Sequence, residues 1–150
     1  IEPYFLYGRT QALTKNSIKI VTPTFSKNPR FMIISDKDAL YCNGYGIHYD
    51  DKLDGGELFD CYNNPIQNIN NIEVLQKILN SYIMHYYVTR TSVSIEGNYP
   101  CYQKNFIEKF NIPFLSVREI EYLKNTSNKT EIDLFLINRY NLNIDYPNLV

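Results

Sequence analysis

The sequence predicts an α+β fold: a small antiparallel or mixed β-sheet packed against one long central helix, with shorter C-terminal helices. Three observations carry that expectation. The first third alternates apolar and polar residues at a period of two, as half-buried strands do. Residues 72–89 repeat apolar positions at helical spacing. Ser116-Val117-Arg118-Glu119 has the form of a capping box, which marks a helix start. A length of 150 residues predicts one domain, 1–150, with a core over about residues 4–114 and C-terminal helices over about 116–142.

The elements follow in order. Ile18-Lys19-Ile20-Val21-Thr22 alternates until Pro23 interrupts it. Phe31-Met32-Ile33-Ile34 is a short apolar run that ends at Ser35-Asp36. Leu40-Tyr41-Cys42 and Tyr45-Gly46-Ile47-His48-Tyr49 flank Asn43-Gly44, and that arrangement predicts a hairpin. Residues 50–71 are polar, with turn material at Asp54-Gly55-Gly56 and Asn63-Asn64-Pro65. A loop of this length is often functional or disordered.

The central helix is expected next. Asn70 is its candidate N-cap, with Glu73 as capping-box partner. Ile72, Leu75, Leu79, Tyr82 and Tyr86 form its stripe, broadened by Ile78 and Ile83. Over 72–89 a continuous helix spans about 27 Å. Thr91–Tyr99 reads as a loop leading into a strand, and Lys104–Phe110 as a short segment. The capping box opens a helix through about Lys124. Thr130 then caps a last helix carrying Ile132, Phe135, Leu136 and Tyr140 on one face.

Composition bounds function. Net charge is −1, with 44% hydrophobic and 21% charged residues. A free-standing DNA binder is usually basic, so this balance argues against tight binding to polyanions in general. The 14 Tyr have two readings: coding bias in an AT-rich genome, or stacking faces for bases. Cys42, Cys61 and Cys101 are odd in number and widely spaced, which fits neither a disulfide framework nor a zinc site. Reduced thiols and a cytoplasmic location are expected. No apolar run approaches the roughly 18 residues of a membrane span, so no membrane partner is expected. The chain starts at Ile1 on an extended-looking Tyr4-Phe5-Leu6-Tyr7, as a piece of a longer protein would.

Motifs for chemistry are missing. Gly44-x-Gly46 and Gly55-Gly56 lack the strand-turn-helix context of a phosphate loop. His48 has no carboxylate or Cys at a telling spacing, and His85, between core positions of the helix, is expected to be structural or partly exposed. Asp50, Asp51, Asp54 and Glu57 read as a solvated turn rather than a cation loop. Asn63-Asn64-Pro65-Ile66 lacks the second proline and the aromatic of the (Asn/Asp)-Pro-Pro-(Tyr/Phe) loop of amino methyltransferases. No catalytic, metal or cofactor residue is expected in this chain.

Two segments point further. Lys19-Ile20-Val21-Thr22-Pro23 runs into Lys27-Asn28-Pro29-Arg30-Phe31, which places two cations on a loop stiffened by prolines. Stiffness lowers the ordering cost of each phosphate contact. The second segment is Leu79-Asn80-Ser81, followed by Ser94-Ile95-Glu96-Gly97-Asn98-Tyr99, Tyr102-Gln103-Lys104 and Ile112-Pro113. In that order, the two resemble the C-terminal specificity domain of TaqI-like adenine-specific DNA methyltransferases and of single-chain restriction–modification enzymes. The resemblance covers roughly residues 4–114, with a weaker match at Ile132–Leu142. Asn98 stands where that family often has a second Gly, and Asn tolerates the same left-handed backbone.

The resemblance implies a role. The parent enzyme transfers a methyl group from S-adenosylmethionine to adenine, and a restriction–modification parent carries an endonuclease as well. The chemistry belongs to an upstream catalytic domain of the same chain. This fragment is then no enzyme; it reads double-stranded DNA, while the target base is flipped into the other domain. Lys27 and Arg30 are the leading phosphate contacts, and Arg9 is a cleft candidate. Arg90 is expected either to contact DNA or to complement its helix dipole. Gln103 and Lys104 are further candidates. Base readers are sought in loop 50–70 and at Tyr41, Asn43 and His48. Pro23, Phe31, Asn80, Ser81 and Gly97 are expected to shape turns and seat the helix on the sheet. The competing expectation is a protein-interaction or scaffold domain of the same fold.

Overall fold

The computed structural model describes residues 17–41, 43–48, 72–144 and 146, and the backbone alone at 58–59 and 65–66. The fold is α+β. Strands β1 (Lys19–Pro23), β2 (Met32–Ile34) and β3 (Gly44–His48) form an antiparallel sheet in the order β2-β1-β3. Val21 lies opposite Met32 on one side and Gly46 on the other. Strands β4 (Leu58–Phe59) and β5 (Pro65–Ile66) pair with each other. Beyond the central helical region, β6 (Ser94–Ile95) and β7 (Tyr99–Pro100) form a small hairpin. A bridge from Phe25 to Cys101 ties that hairpin to the end of β1.

Strand β3 pairs with β1 along its whole length, from Lys19↔His48 to Pro23↔Gly44. The hairpin expected between Leu40-Tyr41-Cys42 and Tyr45–Tyr49 is not found among the described residues: β3 pairs with β1 on one edge, and no described strand lies on the other. Residues 40 and 41 are irregular instead. Lys19 is a strand residue only 2% exposed. Its ammonium donates to the carbonyls of Lys37 at 2.9 Å and Ala39 at 2.7 Å, which curls the 35–41 segment over the sheet. Asn43 still takes the left-handed conformation that the Asn-Gly pair suggested, with φ 56°.

The expected single helix is two: α1 (Ile72–Leu79) and α2 (Tyr82–Thr91). Both residues of the break have side chains that compete with a helical backbone. Ser81 is extended (φ −69°, ψ 160°), and its hydroxyl accepts from the Met84 amide at 3.2 Å as the N-cap of α2. Asn80 turns to the sheet, accepting from the Phe31 amide and donating to the Phe31 carbonyl, both at 2.8 Å. Asn80 thus seats the helical layer on the sheet, and Ser81 caps the second helix at the break. Asn70, the expected first cap, lies outside the described residues.

Three shorter helices follow: α3 (Lys104–Ile107), α4 (Val117–Asn125) and α5 (Lys129–Arg139). The Ser116–Glu119 capping box is present in both directions. Helix α5 is capped by Asn128, whose side chain accepts from the Thr130 amide at 3.0 Å, so Thr130 belongs to its first turn.

Two buried clusters share the α1/α2 wall. Ile20, Phe31, Leu79, Met84, Val88, Tyr102 and Ile107 fill the space on the sheet side. Val74, Ile78, Ile83, Leu115, Leu123, Ile132 and Leu136 fill the other side, against α4 and α5. The architecture is therefore a sheet, a broken helical layer and a helical pair. Lys77 fastens the last two. Its ammonium donates to the carbonyls of Leu123 (2.8 Å), Lys124 (2.6 Å) and Thr126 (2.8 Å), which are orphan acceptors at the C-terminus of α4. A cation there also complements the helix dipole. Lys77→Met keeps the stem and removes the donors. It is expected to cost about 2 kcal/mol in urea unfolding, the scale of hydrogen bonds from a charged group.

Candidate nucleic-acid interface

The outer face of the three-stranded sheet carries the site. Period-two alternation sends Ile20 into the core and leaves Val21 and Pro23 on the other face. A groove of about 390 Å³ opens there. Val21, Thr22, Pro23 and Gly44 line it together with Arg30 and Met32 on the β2 side and Tyr41 and Asn43 on the β3 side. Its volume lies near the lower end of the range for small-ligand sites, about 300–1,000 Å³.

Glycine in β3 makes room for Tyr41. A Cβ on Gly46 would sit 2.3 Å from the Tyr41 hydroxyl oxygen, so the tyrosine ring occupies the space a side chain would need. A Cβ on Gly44 would meet the Thr22 carbonyl oxygen at 2.5 Å. Gly44-x-Gly46, unsuited to a phosphate loop, is a strand pair that permits close approach. The Tyr41 hydroxyl lies 3.1 Å from His48 Nε2, and His48 Nδ1 lies 3.1 Å from the Ser17 hydroxyl. This chain of contacts fixes the ring beside the groove.

Arg30 and Lys27 are exposed on the loop between β1 and β2. Neither has a carboxylate within 4.0 Å among the described residues. The loop is held at both ends. The Tyr102 amide donates to the Thr24 carbonyl at 2.7 Å, and the Asn80 amide group grips Phe31. Held this way, the loop presents two cations at low ordering cost. Asn43 is exposed in its left-handed turn, with an amide able both to donate and to accept.

The structure thus gathers Arg30, Tyr41 and Asn43 in the groove, with His48 behind Tyr41 and Lys27 on the adjoining loop. Gln103, Lys104 and Arg90 do not line it. Gln103 occupies the N-cap position of α3 without a side-chain capping bond. Lys104 is exposed and lies 3.8 Å from Glu108 one turn on. Arg90 sits in the last turn of α2, where it complements the dipole, and its guanidinium carbon stands 3.6 Å over the Tyr86 ring. Arg9 and most of loop 50–70 lie outside the described residues, as does the acidic run Asp50–Glu57. Sequence reasoning missed Met32, which is 61% exposed. Its signal was present: it alternates with Phe31 and Ile33, which face the core.

His85 is a structural residue. Its Nδ1 lies 3.2 Å from the Tyr102 hydroxyl, and burial together with Lys129 holds its pKa below the usual histidine range. Among the described residues no group of three or more His, Cys, Asp or Glu is placed to hold a metal ion, and no helix is long and apolar enough to cross a membrane. No family model, curated protein or solved structure matches the chain.

Proposed function

We propose that this chain is a sequence-recognition module for double-stranded DNA, serving an adenine-specific methyltransferase or combined restriction–modification enzyme. Methyl transfer from S-adenosylmethionine then takes place in a catalytic domain upstream in the same chain, in the cytoplasm. The observation that carries the reading is the groove itself, where Arg30, Tyr41 and Asn43 converge beside Lys27, which has no carboxylate within 4.0 Å among the described residues. Arginine forks and asparagine amides are the side chains that read guanine and adenine edges in the major groove. A rigid cationic loop suits the phosphates on either side. The resemblance of Lys19–Phe31 and Leu79–Pro113 to TaqI-like specificity domains supports the same assignment.

The test is fluorescence anisotropy with a labelled duplex over a range of salt. Weak binding is expected that falls steeply as salt rises. The double variant Lys27→Ala/Arg30→Ala should fold normally, and the slope of log affinity against log salt should shrink by about 2, near one unit per phosphate contact. Absence of binding at low salt would remove the reading.

A protein-docking domain is the second reading. Val117 (64% exposed), Tyr122 (45%) and Leu134 (49%) leave apolar surface on α4 and α5, and this favours it. Pull-down with the rest of the parent chain, with and without DNA, separates the two.

A further inference from the structure

The floor of the groove is apolar, and its cation and its amide stand to either side. Val21 has Met32 as its register partner on β2 and Gly46 as its partner on β3. Gly46 has no side chain. The Tyr41 ring takes that space, with its Cζ 2.6 Å from where a Cβ would sit. At the level of Val21 the sheet therefore presents a row of Met32, Val21 and the Tyr41 ring. The Tyr41 hydroxyl is engaged by His48 Nε2 at 3.1 Å. Two residues along the same face, Pro23 pairs with Gly44, which adds no side chain. Met32 is 61% exposed, and neither it nor Val21 belongs to a buried cluster.

Arg30 and Asn43 belong to the Pro23 end of this floor. Asn43 precedes Gly44, the partner of Pro23, on the β3 side, and Arg30 lies two residues before Met32 on the β2 side. Strands β2 and β3 flank β1, about 10 Å apart by two strand spacings. That is about three base steps along one strand of DNA. A duplex read by both side chains therefore turns a base pair between them toward Met32 and Val21. Charge sets the direction of approach. Arg30 has no carboxylate within 4.0 Å among the described residues. Asp36 and Asp38 lie beyond the Lys19↔Ile34 pair, at the other end of β1. Phosphates are drawn to the Pro23 end.

An apolar surface selects among base edges. In the major groove adenine, guanine and cytosine turn only hydrogen-bonding groups outward, and thymine alone adds a methyl group. Met32 and Val21 offer hydrogen-bonding groups no partner, so a polar edge pressed there gives up water without return. We infer that Met32, with Val21 beside it, is a specificity residue that packs on the 5-methyl group of a thymine lying between the bases reached by Arg30 and Asn43. The inference rests on the DNA reading above and adds a base for which that reading names no determinant.

A library of random duplexes is enriched on the protein at low salt, and the bound fraction is sequenced. Each thymine of the enriched site is then replaced by deoxyuridine, which removes the methyl group and keeps the pairing. One such replacement should weaken binding about fourfold, the scale of one buried methyl group. Met32→Ser, or Met32→Gln if the smaller residue disturbs the strand, should bind the thymine and deoxyuridine forms within about twofold of each other. Its circular dichroism should match the parent, because an exposed position carries little stability. Met32→Leu keeps an apolar side chain and should keep the fourfold difference. Equal binding of every deoxyuridine duplex overturns the inference and leaves the DNA reading standing, as does binding that enriches no sequence. A fourfold loss that persists in the polar variant overturns the assignment to Met32. Failure to bind any duplex at low salt overturns both.

Discussion

The Asn80→Ala variant is expected to lose about 3 kcal/mol of stability, because it strands a buried backbone amide as well as deleting contacts. Phe31 precedes β2 and lies outside its ladder, so no strand partner satisfies its N–H. Asn80 alone accepts that N–H, at 2.8 Å, and it shares the Phe31 carbonyl with Gln76, whose amide donates at 3.0 Å. The Phe31 side chain is 2% exposed, so water does not readily replace the lost acceptor. Asn80→Asp keeps an acceptor for the amide but turns a carboxylate oxygen toward the carbonyl, and is expected to be about as damaging. Gln76→Leu removes the redundant donor and should cost only about 1 kcal/mol. Urea unfolding midpoints at unchanged slope give the comparison. The effect reaches the proposed interface. Arg30 and Met32, the neighbours of Phe31, both line the groove. Near the unfolding midpoint temperature, Asn80→Ala should also weaken duplex binding in step with the folded fraction.

The same residue explains where the sequence misleads. The apolar stripe from Ile72 to Tyr86 keeps helical phase through residues 80 and 81, so periodicity alone joins α1 to α2. What breaks the helix is a pair of long-range bonds to Phe31, 49 residues away, which no local pattern contains. The Ser81 cap shows the other side of the rule. Ser-x-x-Met offers only half a capping box, and the signal is easily lost inside a stripe. Ser116-Val117-Arg118-Glu119 holds both halves and predicts α4 directly. Asn43-Gly44 correctly indicates a left-handed residue at Asn43, but β3 takes its partner from β1, about 20 residues back, and no local pattern names that partner.

The candidate interface divides along the same line. Arg30, Tyr41, Asn43 and Lys27 are legible because stiff loops and turn residues advertise themselves in one short stretch of sequence. Gln103, Lys104 and Arg90 look equivalent on paper, yet none of them lines the groove: Gln103 stands at the start of α3, Lys104 lies 3.8 Å from Glu108, and the Arg90 guanidinium stacks over Tyr86. The exposed faces of Met32 and Tyr99 depend on which side of each strand the helices cover. That is settled by packing, and alternation only narrows it to two choices.

Asp133 should show its character in a pair of substitutions and a pH titration. Its side chain is 1% exposed on α5. One oxygen accepts from the Tyr82 amide at 2.7 Å, an orphan donor at the start of α2, and the other accepts from the Tyr146 hydroxyl at 3.0 Å. Burial raises its pKa above the usual aspartate range, although the Tyr82 and Tyr146 hydrogen bonds and Lys129 pull the other way. The folded state therefore holds this proton more tightly than the unfolded chain does. From the ordinary aspartate value, about 4, up through the raised one, folding binds extra proton, and stability falls as pH rises across that window. Asp133→Asn removes the titration and can keep both contacts, its oxygen accepting from Tyr82 and its amide donating to the Tyr146 oxygen. It should match or exceed the parent at pH 7, within about 1 kcal/mol, with no loss through the window that Asp133 creates. Asp133→Ala removes the same titration but leaves the Tyr82 amide without its partner. It should cost about 3 kcal/mol at pH 7, and more below the window, where the parent gains the stability that this titration contributes. If Asp133→Asn proves as damaging as Asp133→Ala at neutral pH, then the ionised carboxylate at the start of α2 outweighs its desolvation, and the helix dipole is the larger effect.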